Sequence, residues 1–150
     1  MEQLRIQRNN LYIIEVNDEG DTITIDIEDV ELPLKYQRMM EKIQKLQQQV
    51  KGKTYIQDKN KKDGDFVFNK KEVESLEEIS DVYKQMRSAL DKFFGDGACQ
   101  KIFGDVNYWG MFEDLFEQLE PHFKNLNLKA DTFSKSIKEK YKVKDNDVLV

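Results

Sequence analysis

An α+β fold, in which an N-terminal β-hairpin precedes a mainly α-helical body, is predicted by three observations on this 150-residue chain. Residues 22 to 28 alternate strictly between isoleucine and polar side chains, the pattern of a strand with one buried face. Two long stretches, from Pro33 to about Val50 and from Asn69 to Phe94, repeat apolar residues every three or four positions, as amphipathic helices do. The twenty residues from Phe93 to Phe112 then gather the only Trp, the only Cys, four of the nine Phe and four of the seven Gly. Glycines beside large rings read as tight junctions between short helical pieces, with an adhesive surface nearby.

The hairpin pairs Leu11 to Val16 with Thr22 to Glu28 across Asn17-Asp18-Glu19-Gly20-Asp21, so that Ile23, Ile25 and Ile27 face one way and Thr22, Thr24, Asp26 and Glu28 the other. A lone hairpin is barely stable in water, so helices, or strands from another copy, must cover its apolar face. Pro33 suits the first turn of the next helix, whose stripe is Tyr36, Met39, Met40, Ile43, Leu46 and Val50. Residues 51 to 65 are lysine-rich and punctuated by glycine, and read as a mobile loop leading into a short extended piece, Phe66-Val67-Phe68.

Asn69 and Glu72 have capping-box spacing, with Phe68 and Val73 placed as a hydrophobic staple. The helix they open carries Leu76, Ile79, Val82, Tyr83, Met86, Ala89, Leu90, Phe93 and Phe94, and Gly95 closes it. Asp96 is placed to cap a short helix through Phe103, which Gly104 ends. A further helix from about Tyr108 to Leu126 gathers Tyr108, Trp109, Phe112, Leu115, Phe116, Leu119, Phe123 and Leu126 on one arc, with Pro121 on its polar side as a kink. A last helix places Ala130, Phe133, Ile137 and Tyr141 together. The whole reads as one domain over residues 1–150: hairpin plus helix (1–50), mobile basic loop (51–68), helical body (69–144) and tail (145–150).

Composition excludes several function classes. One Cys forbids an internal disulfide or a multi-cysteine zinc site. No apolar run approaches the length of a membrane span and no secretion signal is evident, which predicts an intracellular protein. A net charge of -5 argues against nucleic-acid binding. The charge is uneven, since Lys and Arg outnumber Asp and Glu by seven to three in residues 51–71 and are outnumbered by twelve to five in 72–126. Solvated loops explain this without a partner.

Candidate chemical motifs resolve into structural ones. Asp58 to Asp65 nearly spells a calcium loop, but Lys62 falls at the fifth ligand position, Asp63 takes the glycine place and Asn69 stands where the bidentate Glu belongs, so no metal is expected. Gly95-Asp96-Gly97 before a helix resembles a phosphate cradle, yet it follows a helix and carries a carboxylate where the anion would sit. Glu113, Asp114, Glu117 and Glu120 lie on the face opposite the aromatic arc, where solvation rather than acid-base catalysis is expected. His122 and Cys99 are single, and no Ser sits in a nucleophile elbow. Neither catalytic residues nor a cofactor is expected, and Cys99 reads as a small buried hydrophobe.

The run FFGDGACQKIFGD, residues 93–105, and the stretch Met111-Phe112-Glu113-Asp114-Leu115-Phe116-Glu117-Gln118-Leu119-Glu120-Pro121-His122 resemble the C-terminal signature of tail assembly chaperones. These are small proteins of long-tailed, siphovirus-type phages and prophages of Gram-positive bacteria. The resemblance covers roughly residues 72 to 126. It implies a non-enzymatic assembly factor in the cytoplasm of the bacterial host, absent from the mature virion. Its expected partners are the tape measure protein, whose long apolar helix it would keep soluble, the tail tube protein, and further copies of itself. A minor structural tail or connector subunit is the alternative. The expected contact surface is Phe93, Phe94, Ile102, Phe103, Trp109 and Phe112, with Gly95, Gly97 and Gly104 as turns that let two helices approach closely. Met39, Met40, Met86 and Met111, as adaptable apolar side chains of an amphipathic helical body, suit sequence-tolerant helix binding.

Overall fold

The computed structural model of the chain describes residues 1–7, 10–51 and 68–126, and within them the architecture is the predicted α+β arrangement. The near-calcium spacing at Asp58 to Asp65, the extended piece at Phe66 and Val67, the helix from Ala130 to Tyr141 and the tail at 145–150 lie outside the described residues.

Strands β1 (Leu11–Glu15) and β2 (Thr22–Asp26) pair antiparallel, with Tyr12 opposite Ile25 and Ile14 opposite Ile23. Ile23 and Ile25 are buried, and Tyr12, Ile14 and Ile27 are half-buried against the same core. Asn17 organises the turn: its Oδ1 accepts from the Glu19 and Asp21 N–H groups at 3.0 and 3.1 Å, and its Nδ2 donates to Asp21 Oδ2 at 2.8 Å. These side-chain bonds replace the backbone bonds that a tight turn leaves open.

Helix α1 (Leu32–Val50) begins with proline in its first turn, where no N–H is needed, and buries Met39, Ile43, Leu46 and Val50. Helix α2 (Lys70–Phe94) opens on the capping box: Asn69 Oδ1 accepts from Glu72 N–H at 2.9 Å and Glu72 Oε1 accepts from Asn69 N–H at 3.3 Å. Val82, Tyr83, Met86, Ala89, Leu90 and Phe94 form its buried face, which packs along α1 and reaches β2. The short helix α3 (Ala98–Phe103) follows, and the helix α4 is described over residues 111–126, running through the exposed Pro121. Among the described residues one core cluster joins hairpin and helices, and a bond of 2.8 Å between Tyr12 Oη and His122 Nδ1 ties β1 to α4.

Two expectations are corrected here. Helix α4 does not start at Tyr108, because Gly110 has φ +83° and holds residues 108–110 in a turn that Met111 N–H closes onto Tyr108 C=O at 3.2 Å. Asp96 does not cap α3 either. The cap is Asp91 from the preceding helix, whose Oδ1 accepts from Cys99 N–H at 2.8 Å while its backbone C=O accepts from Gly95 N–H at 2.7 Å. One residue thus closes α2 and opens α3, a tertiary arrangement that local capping rules do not encode.

Candidate functional site: an aromatic ledge between α3 and α4

The rings of the second half sort into two groups. Tyr36, Phe93, Phe94, Phe116 and Phe123 meet between α1, α2 and α4, with Tyr36 and Phe123 only 3.9 Å apart and Phe93 edge-on to Phe94 at 4.7 Å. Tyr83, Phe103, Tyr108, Trp109 and Phe112 meet around the α3–α4 connection, at centroid distances from 5.5 to 6.3 Å. Phe93 and Phe94 therefore do not share a surface patch with Phe103 and Trp109, as the sequence reading placed them. Phe94, 8% exposed, and Phe112, 1% exposed, are core and offer nothing to a partner. Phe93, Ile102 and Phe103 are half-buried beneath the surface.

Exposure concentrates instead on Trp109 (61%), Val106 (62%) and Tyr108 (44%). Val106 and Tyr108 were missed as contact residues because a helical reading of residues 108–126 sends Tyr108 inward. The paired glycines 104 and 110, bracketing polar Asp105 and Asn107, were the available signal of an outward loop.

This ledge is held from below. Arg87 of α2 donates through Nε to Asn107 Oδ1 at 2.6 Å and through Nη2 to Val106 C=O at 2.9 Å, while its guanidinium carbon stands 5.9 Å from the Phe103 ring centroid. Gln100 Nε2 donates to Asp105 Oδ1 at 2.8 Å. Trp109 rests edge-on against buried Tyr83 at 6.0 Å. Exposed rings fixed in this way lose little conformational freedom on binding, which is what an apolar anchor requires.

The structure also corrects the glycine argument. A Cβ at Gly95, Gly97 or Gly104 would meet no atom within 4 Å, so no close helix approach depends on them. They remain turn residues for a backbone reason, since all three have positive φ. Met39, Met86 and Met111 are likewise core rather than adaptable surface, with Met40 half-buried beside them.

Cys99 is buried, and its Sγ donates to Arg87 C=O at 3.4 Å. Burial, reinforced by the Asp91 carboxylate, pushes its pKa up to about 12. Thiolate is the reactive form, so alkylation by iodoacetamide at neutral pH should run about a thousandfold slower in the folded chain than in urea. Equal rates would show that the site is open. Among the described residues, no three His, Cys, Asp or Glu side chains converge as metal ligands, and no helix is long and apolar enough to cross a membrane.

No curated protein and no solved structure matches the chain. The family of unknown function DUF6673 matches residues 19–146, from the hairpin turn through the ledge and beyond, and the chain belongs to that family.

Proposed function

We propose that this protein is a non-enzymatic tail assembly chaperone of a siphovirus-type phage or prophage, acting in the cytoplasm of the bacterial host and left out of the mature virion. Its client is the apolar helix of the tape measure protein, and its activity supports assembly of the tail tube. The observation that carries the reading is the Val106–Tyr108–Trp109 ledge, exposed yet pinned by Arg87, within the segment that resembles these chaperones. An amphipathic helix aggregates unless its apolar stripe is covered, and a rigid aromatic edge backed by Ile102 and Phe103 suits a sequence-tolerant cover. Self-association would multiply such edges along a long client.

Trp109 is the only tryptophan in the chain, so it reports its own environment. Adding a tape measure segment should shift its emission to shorter wavelength, and co-expression should keep the tape measure protein soluble. Trp109→Glu should abolish co-purification while melting close to the wild-type temperature, because the ring is largely in water already. A tape measure protein equally soluble with and without this chain would sink the chaperone reading. Recovery of the chain from purified particles would favour the minor tail or connector subunit instead.

A further inference from the structure

A second surface shares no residue with the aromatic ledge. A cleft of about 460 Å³ opens between β2, the first half of α1 and the C-terminal part of α2. Ile25, Leu32, Met39, Ala89 and Phe93 supply its apolar lining, Lys35, Arg38, Lys42 and Lys92 its cations, and Asp26 and Asp29 its carboxylates. Lys35 is already paired, 2.7 Å from Asp29. Arg38, Lys42 and Lys92 are exposed and make no ion pair with a described carboxylate. On a chain of net charge -5, a lining with four cations against two carboxylates is a local excess of positive charge around an apolar floor.

The wall of the cleft is a strand edge. The hairpin ladder is bounded by bonds from Val16 N–H to Asp21 C=O at 2.9 Å and from Ile27 N–H to Asn10 C=O at 3.1 Å. With the observed register, bonded positions alternate through Ile23 and Ile25, so Thr22, Thr24 and Asp26 turn their backbone groups away from β1. Lys101 Nζ donates to Thr22 C=O at 3.4 Å and Asp29 N–H donates to Asp26 C=O at 3.3 Å. The Thr24 N–H and C=O are left facing outward, and Thr24 lines the cleft. An open strand edge is a template for another extended chain.

We propose that this cleft captures an extended acidic segment of a partner protein, which pairs with β2 at Thr24, sets an apolar side chain on Met39 and Phe93, and directs carboxylates to Arg38, Lys42 and Lys92. The partner chemistry follows from the charge: acidic residues gain from all three cations, whereas a basic segment is repelled. The site is separate from the aromatic ledge and stands whether or not the ledge binds a helix.

The test uses the full-length chain and a fluorescent peptide of alternating valine and glutamate, with fluorescence anisotropy as the readout. Binding should weaken with added salt and fall about tenfold or more in the Lys42→Glu/Lys92→Glu double variant. A valine and lysine peptide should not bind, and a valine and glutamate peptide N-methylated on the edge that meets β2 should bind about tenfold more weakly, having lost main-chain hydrogen bonds. All the reversed charges are exposed, so the variants should keep the wild-type melting curve; should they not, the salt dependence and the two-peptide comparison on the wild-type chain decide. No binding, or equal binding of the basic peptide, overturns the proposal, as does full affinity of the N-methylated peptide. Self-association lost in the same double variant would give the cleft to a second copy and overturn the assignment to a partner protein.

Discussion

Phe112→Ala should lower stability by about 3–5 kcal/mol, the usual cost of deleting a fully buried phenylalanine ring. Phe112 is 1% exposed and meets Tyr83 at 6.3 Å and Phe103 at 5.5 Å, so its loss opens a cavity among rings that three helices hold in place. A domain of this size is stable by only about 5–15 kcal/mol, and the substitution should bring the melting temperature down by about 10 °C. Trp109→Ala, three residues earlier, should cost about 1 kcal/mol or less, since it forfeits one edge-to-face contact with Tyr83 and little burial. Urea melts of the two variants side by side separate core ring from surface ring. Similar losses for both would mean that Trp109 is packed and that the ledge is not a free surface.

That contrast marks where the sequence stopped being informative. The alternation of Ile23 and Ile25, the helical stripes through Ile43 and Leu90, and the Asn69–Glu72 box are local signals, each fixed by the period of its own element, and each holds in the fold. Periodicity states which residues share a face. It does not state where a helix begins, and an error of three residues at Gly110 set Tyr108 and Trp109 on the same arc as the buried Phe112, left Tyr108 out of the contact surface and left Met111, which is fully buried, outside the stripe. The Asp91 cap on α3 and the Arg87 brace under the ledge join residues of separate helices, and no spacing rule announces them. The cleft beside β2 was invisible for the same reason: Arg38, Lys42 and Lys92 are solvated helix residues in the sequence and become one rim only when α1 packs on α2.

Gly104→Ala should cost about 1–3 kcal/mol although the added methyl has open space around it. Gly104 ends α3 with φ +70° and ψ -151°, a combination that L-residues avoid because the Cβ collides with its own backbone. Gly104→Val should be no better, since the penalty comes from the chain itself and not from a neighbour. Gly97, at φ +82° and ψ +2°, sits in the left-handed helical region that asparagine tolerates, so Gly97→Asn should cost well under the Gly104→Ala penalty. The Gly104 reversal also sets the direction of residues 105–110, where Gly104 N–H bonds Gln100 C=O at 2.9 Å and Arg87 grips the loop beyond. A chain that relieves the strain by shifting this turn would move Trp109 off Tyr83, and its near-ultraviolet circular dichroism should change together with the melting temperature. Wild-type stability and an unchanged tryptophan signal in Gly104→Ala would mean that the turn is reached without positive φ. The aim of the aromatic ledge would then rest on Arg87 alone, and Arg87→Ala should move the tryptophan signal that Gly104→Ala leaves in place.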